Sequence, residues 1–491
     1  MNGPVGHWQV AVIGAGPGGL GLAIALAESG RRDFVLLEAS DGVGGTWRVN
    51  TYPGAACDVP SHLYSYSFAL KPDWTKTYAG QAEILQYFED CTDRFGVRPH
   101  LRPQTPVVSA RWQERTATWL LRDAGGSEHE ASVVVSALGT FNAPSRPDIA
   151  GLDSFAGTSF HSSSWDHSHD MRGARVGVIG TGASAAQLIP ELAQVVERLF
   201  VFQRTPSWVV PRLDKPFSDE DKRRFARNKL AARKHRWEIY RSFERNITFR
   251  HGDAAADTLR NLALGHLAHR VHDEELRAKL TPDYPFGCKR TLVTSDFYKA
   301  IVRPEVELVT EPVAKVTPGA VVTADGTERE VDTLVLATGF KATEYLHGLE
   351  VVGVGGQRLH DAWAGSPRAY LGMTVSGYPN FFMLYGPNTN QGGNSIIFIL
   401  EAQARYIVGA LRSMHRRHVD AVDVRRDVMD GYNAALDEAL RGTVWDTGCQ
   451  SYFKNADGRV VTQLPYPSLW YWRRTRRFRM SQYDRTKAPG G

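Results

Sequence analysis

The segment FAGTSFHSSSWDH, residues 155–167, places histidine, tryptophan and aspartate side chains within one short stretch of the chain. Histidine can bind a metal ion, act as a general base or support a loop through hydrogen bonds. His161 and Trp165 are followed by no set of cysteines or carboxylates that would complete a tetrahedral metal site. The residue types therefore argue against a metal site and leave a catalytic base and a structural strap between other elements as the alternatives.

A glycine-rich turn near the start of the chain has the spacing of a nucleotide-binding loop. In VAVIGAGPGGLGLAIALAESG (10–30), a strand pattern leads through Gly14, Gly16 and Gly19 into a helix pattern. The first glycine permits the tight turn, the second lets a pyrophosphate approach the backbone, and the third lets helix and strand pack closely. Glu38 ends the next strand, where a carboxylate accepts hydrogen bonds from ribose hydroxyls. The pattern predicts a dinucleotide site.

The same pattern returns in VGVIGTGASAAQLIPELAQ (176–194), with Gly180, Gly182 and Ala185 at the glycine positions. After the following strand, Arg204 occupies the region where the first copy has its acidic residue. An acid there would repel a 2′-phosphate, whereas an arginine would pair with it. We therefore expect FAD in the first site and NADPH in the second. The alternative for Arg204 is an ordinary exposed strand end.

The two copies indicate an internal repeat. Each continues into short β runs and closes with a strand that enters a glycine, VVVSALGT (133–140) and TLVLATGF (333–340). The predicted fold is α/β, with two Rossmann-like dinucleotide-binding domains, the second inserted in the first. The charged, helix-patterned segment 214–285 is a helical insertion that either caps the substrate cavity or only fills space. The predicted domains are an FAD-binding domain from 1–145 and 338–491, the latter with the C-terminal tail, and an NADPH-binding domain from 146–337.

Composition places the chain among globular proteins. It has 491 residues, of which 42% are hydrophobic and 23% charged, enough for two or three domains. Cys57, Cys91, Cys288 and Cys449 are far apart, so no disulfide framework is expected and a reducing compartment fits. The net charge is +5, with a basic segment at 472–487 but no nucleic-acid motif beside it. A cytoplasmic protein without a signal peptide or membrane span is predicted.

The chain resembles the Baeyer–Villiger monooxygenases, within the class B flavin monooxygenases. The resemblance covers nearly the whole chain and rests on both glycine turns, GGTWRVNTYPGAACDVPSHLYSYSF (44–68), PFGCKRTLVTSDFYKAI (285–301) and the fingerprint FxGxxxHxxxW[P/D]. The fingerprint is matched by Phe155, Gly157, His161, Trp165 and Asp166. The resemblance implies that this histidine lies in the linker between the FAD and NADPH domains and couples their motion.

The resemblance also implies a reaction. It is an NADPH- and O2-dependent insertion of one oxygen atom next to a ketone carbonyl, through a C4a-peroxyflavin, giving an ester or lactone. A flavin-dependent N- or S-oxygenase is the alternative. A disulfide reductase would need a CxxC or CxxxxC pair, and the sequence has none. The implied partners are molecular oxygen and a small ketone or related apolar substrate.

Site residues follow from the matched motifs. Arg290 is expected to stabilise negative charge beside the flavin and Asp58 to orient it, although residue chemistry alone would favour a surface arginine and a helix-capping aspartate. Trp47 and Tyr52 either stack near the flavin or only pack. Relatives often carry histidine where this chain has Gly393, so that side chain has no predicted role here. The predicted FAD contacts are Gly14, Gly16, Gly19, Glu38, Thr46, Trp47, Asp58, Tyr64, Val108 and Asn388. The predicted NADPH contacts are Gly180, Gly182, Ser184, Arg204, Thr205 and Lys289.

Overall fold

A computed structural model of the chain describes residues 6–245, 253–446 and 448–487. In chain order its strands are β1 His7–Ile13, β2 Phe34–Leu37, β3 Leu101–Arg102, β4 Val107–Gln113, β5 Thr118–Asp123, β6 Glu128–Ser136, β7 Thr158–His161, β8 Arg175–Ile179, β9 Arg198–Phe202, β10 Val209–Val210, β11 Leu292–Val293, β12 Val306–Val309, β13 Val313–Val316, β14 Ala320–Thr323, β15 Glu328–Glu330, β16 Thr333–Leu336, β17 Glu350–Val352, β18 Phe381–Met383, β19 Ala421–Val424 and β20 Tyr483–Thr486. Its α-helices are α1 Pro17–Glu28, α2 Thr46–Val49, α3 Gln81–Arg94, α4 Ala183–Leu192, α5 Asp219–Arg227, α6 Lys229–Arg245, α7 Ala254–Arg270, α8 Glu274–Leu280, α9 Phe297–Ile301, α10 Leu359–Trp363, α11 Ile396–Arg417, α12 Arg426–Leu440 and α13 Ser468–Thr475.

The first sheet combines strands from the beginning and from the later part of the chain. Among the described residues its order is β17-β4-β5-β6-β1-β2-β3, and β18 also pairs with β6. Strand β1 lies parallel to β2 and β6, and β18 lies parallel to β6. Strands β4, β5 and β6 are antiparallel to one another. Because β17 and β18 follow the second sheet in the chain, the second domain is inserted in the first, as predicted.

The second sheet is parallel throughout, in the order β12-β9-β8-β16-β7. Its strands are rich in valine, leucine and phenylalanine, and Val178, Val201 and Val335 are fully buried. Continuous apolar strands of this kind need helices on both faces of the sheet. The antiparallel strands β13, β14 and β15 form a separate small sheet that follows β12 in the chain. The fold class predicted from the repeat is confirmed.

The two glycine turns have the same construction. Gly14 has φ of 102°, and a Cβ at this position would lie 2.8 Å from the carbonyl oxygen of Ala137. Gly180 has φ of 109°, and a Cβ there would lie 2.5 Å from the carbonyl oxygen of Ala337. Both positions combine a left-handed backbone with a close approach to the end of a neighbouring strand, so only glycine fits. The repeat is therefore present in three dimensions as well as in sequence.

Helices α5 to α8 occupy the predicted insertion, and residues 246–252 within it lie outside the described residues. Three of these helices begin at a side chain that accepts a hydrogen bond from a backbone N–H of the first turn, namely at Ser218, Asp253 and Asp273. Such capping satisfies backbone donors that a helix start leaves unpaired. The limits of the domains at single-residue precision stay predictions. Within the described ranges, no helix has the length and apolar character needed to cross a membrane.

The core of the first domain is formed where α1 packs against α11. Leu20, Leu22 and Ile24 of α1 are fully buried, as is Ile397 at the start of α11. Burying a leucine or isoleucine side chain stabilises a fold by roughly 1.5–3 kcal/mol. This packing fixes the start of α11, and with it the turn that precedes the helix, beside the first glycine turn.

Candidate active site

The start of α1 is surrounded by backbone rather than by side chains. A Cβ on Gly19 would lie 1.9 Å from the carbonyl oxygen of Gly14, and a Cβ on Gly45 would lie 2.8 Å from Cα of Gly16. Two glycine-rich segments therefore meet without any side chain between them. A pyrophosphate needs this kind of access to the N–H groups at a helix start. The geometry fits the predicted FAD site.

Glu38 is held at the end of β2 by the turn that it faces. Its carboxylate accepts hydrogen bonds from the N–H of Ala15 at 2.6 Å and from the N–H and hydroxyl of Ser40 at 2.8 and 2.7 Å. A carboxylate can accept about four hydrogen bonds, so capacity remains for a ribose hydroxyl. The side chain is thus oriented for the predicted role without being saturated.

Aromatic side chains follow this turn in the chain. Trp47, in the short helix α2 that begins at Thr46, donates from Nε1 to the hydroxyl of Tyr64 at 3.1 Å. Their rings meet edge to face with centroids 5.6 Å apart. Burial raises the pKa of Tyr64, which keeps its phenol neutral. Val108, in contrast, lies in β4 with 40% of its surface exposed. The FAD contacts of these four residues stay predictions.

The turn before α11 contains buried polar atoms that have no hydrogen-bond partner among the described residues. Asn388 has φ of 55° and donates from Nδ2 to the carbonyl oxygens of Val460 and Gln463 at 2.9 and 3.1 Å. Its Oδ1, Oε1 of Gln391 and Oγ of Ser395 are buried without a partner. Most buried polar atoms in proteins are hydrogen-bonded. The turn therefore has capacity for a bound polar group, as a flavin ring would require.

Arg290 and Asp58 form an ion pair although they are 232 residues apart in the sequence. Nη2 of Arg290 donates to Oδ2 of Asp58, and the two side chains are 32% and 27% exposed. The carboxylate of Asp58 is the main cause that raises the pKa of Arg290 above its ordinary value. The guanidinium therefore stays charged at any working pH, and the carboxylate fixes the orientation of its planar fork. The structure brings the two predicted catalytic residues together, and their roles stay predictions.

Two tyrosines that the sequence analysis did not identify lie near this ion pair. Arg290 interacts electrostatically with Tyr385 and Tyr452, and burial raises the pKa of both phenols, which stay neutral. Tyr385 has φ of 56°, and its hydroxyl donates to Oδ1 of Asn390 at 2.7 Å. The sequence gives a turn signal at this point, YGPN, but no indication that its tyrosine faces an arginine 95 residues earlier.

A cavity of about 520 Å³ opens beside the second glycine turn. Its lining includes Arg204, Thr205, Lys279, Asp283 and Lys289. Burial, and then the charge of Arg204, lower the pKa of Lys289. Cations crowded in this way gain from an anion placed between them. The cavity fits the 2′-phosphate of NADPH through Arg204 and Lys289, while Lys279, which also lines it, already pairs with Glu275 at 2.8 Å.

The backbone at the start of α4 is open. A Cβ on Gly182 would meet no atom within 4 Å, so a ligand can approach the backbone there. Ser184, two residues later, interacts with the hydroxyl of Tyr52, whose pKa is raised mainly by burial. These observations fit the predicted nucleotide contacts without testing them.

Gln187 of α4 joins the second domain to the loop that carries Asp58. Its Oε1 accepts from the hydroxyl of Tyr52 at 2.9 Å and from the N–H of Ala56 at 3.3 Å. Its Nε2 donates to the carbonyl oxygen of Ala56 at 2.9 Å. Gly54 permits the approach, since a Cβ there would lie 2.5 Å from the carbonyl oxygen of Gln187. Tyr52 therefore has a hydrogen-bonding role between domains, which the sequence did not indicate.

His161 connects the strap, residues 155–167, to the part of the chain that returns to the first domain. Its Nδ1 accepts from the N–H of Ser163 at 3.1 Å, so Nε2 carries the proton and donates to the carbonyl oxygen of Gly339 at 3.0 Å. Burial lowers its pKa, which favours the neutral ring. The histidine thus has the hydrogen bonds of a structural residue, as its predicted position in a strap requires.

The other fingerprint residues also make local structure. A Cβ on Gly157 would lie 2.4 Å from the carbonyl oxygen of Asp332, the ring of Trp165 packs edge to face on Phe160, and Phe155 packs against an apolar cluster. Asp166 accepts from the N–H of Ser168 at 2.9 Å. Across the described ranges, no group of three or more histidine, cysteine, aspartate or glutamate side chains is placed to hold a metal ion.

The sequence predicts no disulfide framework, and the structure contains one disulfide among the described residues. Cys288 and Cys449 form a disulfide, with Cα atoms 6.4 Å apart and a sequence separation of 161. Cys57 and Cys91 are free and buried. Sequence spacing predicts disulfides only in short, cysteine-rich chains. A single bond across the fold leaves no such pattern.

Known proteins resemble this chain over nearly its whole length. The profile of the family described as "Flavin-binding monooxygenase-like" matches residues 7–347. A protein of Pseudomonas aeruginosa named Baeyer-Villiger monooxygenase is 40% identical over 98% of this chain and 92% of its own length. A Streptomyces coelicolor protein of the same name is 42% identical over 97% of this chain and 92% of its own length.

Solved structures of monooxygenases also resemble this chain over nearly its whole length. The crystal structure of cyclohexanone monooxygenase from Rhodococcus sp. Phi1 bound to NADP+ superimposes with a TM-score of 0.88 at 30% sequence identity. The alignment covers 99% of this chain and 100% of that one. The likeness therefore includes both sheets, the helical insertion and the C-terminal part.

Proposed function

The chain belongs to the flavin-binding monooxygenase-like family, and from this membership we propose how its own residues carry out a Baeyer–Villiger oxidation. The enzyme class predicted from the sequence, an NADPH-dependent flavin monooxygenase with FAD, is confirmed by the family and by relatives named Baeyer-Villiger monooxygenase. The substrate and the roles of individual residues are the proposal. We take the substrate to be a small apolar ketone, the co-substrate to be O2, and the location to be the cytoplasm.

The two cofactors supply the redox chemistry when bound, hydride from NADPH and oxygen activation at the flavin. Holding them is the task of the two glycine turns, of Glu38 and of the cations Arg204 and Lys289. The backbone at the starts of α1 and α4 would accommodate pyrophosphate groups. The first glycine turn has no room for side chains, and a Cβ on Gly182 of the second turn would meet no atom within 4 Å. Each nucleotide would thus be held on its own domain, and Gln187 joins α4 of the second domain to Tyr52 and Ala56 of the first.

The ion pair of Arg290 and Asp58 is the observation that carries the mechanism. A ketone gains negative charge on its carbonyl oxygen when a nucleophile adds to it, and a fixed cation in a partly buried site stabilises that charge. Arg290 can donate to an anion with the N–H groups that Asp58 does not use. Asp58 holds the guanidinium in place, so little reorganisation is needed during the reaction.

Two aromatic residues, Tyr385 and Tyr452, interact with this cation, and Tyr452 packs on a partly exposed aromatic group. The ring of Phe141 lies 5.7 Å from that of Phe340 and 6.4 Å from that of Tyr452, measured between centroids. Tyr385 and Tyr452 keep neutral hydroxyls near the guanidinium. A charge is stabilised more strongly where water is excluded. The same surface suits an apolar ketone, which supports the proposed substrate class.

The proposal is tested by product analysis with the FAD-containing enzyme. Cyclic, linear and aryl ketones are incubated with NADPH and O2, beside a sulfide and an amine as competing substrate classes. We expect an ester or lactone with one added oxygen atom, in a yield close to the NADPH consumed. Arg290→Ala should lower the rate of product formation by about 10²–10³-fold while FAD stays bound.

The control variant is Arg172→Ala, because Arg172 forms an exposed ion pair with Asp170. This variant should give the wild-type rate of product formation. Oxidation of the sulfide or amine without any ester or lactone from the ketones would favour the N- or S-oxygenase instead. An unchanged rate of ester or lactone formation in Arg290→Ala would remove Arg290 from the mechanism.

A further inference from the structure

The disulfide between Cys288 and Cys449 lies between the two parts of the site. Cys288 is fully buried and stands two residues before Arg290 in the chain. Cys449 is partly exposed and lines the cavity that also contains Arg204 and Lys289. The bond therefore connects the turn that carries the catalytic cation to a wall of the nucleotide cavity.

Non-covalent contacts flank this bond on both sides. Before it, Nε1 of Trp445 donates to the carbonyl oxygen of Gly287 at 3.1 Å. After it, Tyr452 interacts electrostatically with Arg290. The disulfide is thus the covalent link between the Arg290 turn and residues 448–452, which we call the wall segment. The wall segment lies outside the described α-helices and β-strands, so loss of the disulfide would leave it without the backbone hydrogen-bond ladder of such an element.

We propose that Cys288 and Cys449 are a reversible thiol oxidation site that sets how firmly the wall segment closes the nucleotide cavity. The oxidant is hydrogen peroxide, which a flavin monooxygenase releases when it consumes NADPH and O2 without oxygenating a substrate. Each thiol loses one proton and one electron, the S–S bond forms, the O–O bond breaks, and two water molecules result. A dithiol reverses the step by thiol–disulfide exchange and is itself oxidised to a disulfide.

The location of the two sulfurs suits a reversible bond. Exposure of Cys449 on the cavity wall gives a reagent access to one sulfur, while burial of Cys288 protects the other. Disulfides in the cytoplasm are usually transient and redox-responsive. In the oxidised protein the wall segment would be ordered before the nucleotide binds. In the reduced protein the segment would become ordered only on binding, and this loss of conformational entropy would lower the affinity for the nucleotide.

The first test maps the thiols in the FAD-containing protein. The protein is reduced with dithiothreitol, desalted, treated with hydrogen peroxide or buffer, alkylated, and digested for mass spectrometry. Peroxide should yield one cross-linked peptide pair that contains Cys288 and Cys449, and dithiothreitol should abolish it. Cys57 and Cys91 should be alkylated only after unfolding, since both are buried. Absence of the cross-linked pair, or oxidation of Cys449 to a sulfinic acid instead, would overturn the proposal.

The second test measures NADP+ affinity by titration of the flavin absorbance in the oxidised and reduced forms. The oxidised protein should bind about five-fold more tightly, which corresponds to the roughly 1 kcal/mol needed to order one backbone residue. Cys449→Ser should have the affinity of the reduced protein under both conditions. Cys91→Ser, in α3, should keep the difference between the two forms.

Equal NADP+ affinity of the two forms would overturn the proposal. It rests on the proposed function for the identity of the nucleotide, but the titration requires neither turnover nor a ketone. A redox-dependent affinity in a protein that oxidises no ketone would therefore contradict the proposed substrate class alone. A ketone-oxidising enzyme with redox-independent affinity would contradict the switch alone.

Discussion

Arg290 and Lys289 are neighbours in the chain, yet their surroundings move their pKa values in opposite directions. Asp58 raises the pKa of Arg290, whereas burial and the nearby Arg204 lower the pKa of Lys289. The first cation is therefore permanent, and the second loses its proton at a lower pH than an ordinary lysine. A permanent charge suits a reaction site, and a titratable one makes nucleotide binding depend on pH.

We expect the affinity for NADP+ to fall as pH rises, because the lowered pKa of Lys289 brings its loss of charge below the usual range near 10.5. One charge-assisted hydrogen bond to phosphate is worth about 1.5–3 kcal/mol, so the loss should approach ten-fold or more. In Lys289→Arg the alkaline loss should disappear, because a guanidinium stays protonated. The measurement is NADP+ titration across the alkaline range.

The control for this experiment is Lys299→Arg. Lys299 lies in α9 and forms an exposed ion pair with Asp296, the residue before that helix. Its pH dependence should match that of the unchanged protein. If Lys289→Arg shows the same alkaline loss as the wild type, another group controls nucleotide affinity.

At the scale of elements, the strap depends on one glycine. A Cβ on Gly157 would lie 2.4 Å from the carbonyl oxygen of Asp332, and the φ of this residue requires no glycine. Gly157→Ala should therefore destabilise the protein by about 1–3 kcal/mol through overpacking alone. Denaturant unfolding measures the change. Gly265→Ala is the control, because a Cβ there has open space and alanine favours α7 by about 1 kcal/mol. Equal stability of the two variants would contradict the predicted clash.

A second element-level contact joins the insertion to the first domain. The ring of His62 is packed between those of Phe217, Phe225 and His235, with centroids 5.0, 4.8 and 5.0 Å away. Burial, then His235 and Arg236, lower the pKa of His62 to about 3. The folded protein therefore keeps this ring neutral, whereas the unfolded chain binds a proton below about pH 6.5.

The stability contributed by the neutral His62 is present above pH 6.5 and is lost as pH falls toward 3. Between pH 7.5 and pH 5 the loss should be about 2 kcal/mol. His62→Phe should reduce the acid sensitivity of unfolding by that amount, while His272→Phe, an exposed position before α8, should not. Urea unfolding at the two pH values makes the comparison. If the loss of stability between pH 7.5 and pH 5 is unchanged in His62→Phe, groups other than His62 cause it.

The elements that sequence predicts well are those whose signal is local. Gly14 and Gly180 could be placed because a turn, a strand and a helix follow one another within about twenty residues, as this type of motif requires. The pair of Arg290 and Asp58 was found only through family resemblance, since nothing local links residues so far apart. Tyr385, Gln187 and the disulfide were not found, because each acquires its role from a partner that only the fold brings near.

At the scale of the whole molecule, Gln187 forms hydrogen bonds between the two domains. Replacement of its amide in Gln187→Leu would leave the hydroxyl of Tyr52 and both backbone groups of Ala56 without these partners. An unpaired buried polar group costs about 1–3 kcal/mol. We expect lower stability and faster proteolysis in the loop before Asp58.

Product yield per NADPH should fall in the same variant, because the loop that carries Asp58 would lose its hydrogen bonds to α4 and would orient Asp58 toward Arg290 less firmly. Gln194→Leu is the control. Gln194 is exposed just after the end of α4, and its amide donates to the carbonyl oxygen of Pro190 in the same helix. A normal yield together with normal protease resistance in Gln187→Leu would show that the domains are held by other contacts.

The strand order of the first sheet has a consequence for synthesis on the ribosome. Strand β6 can pair with β1 and β5 early, but its partner β18 emerges only after the entire second sheet has been made. At ~5–20 residues per second this delay lasts on the order of tens of seconds. During that interval Val133, Val134 and Val135 belong to an open, apolar strand edge, a feature that favours aggregation. The nascent chain, rather than the finished enzyme, is thus the form most in need of a chaperone.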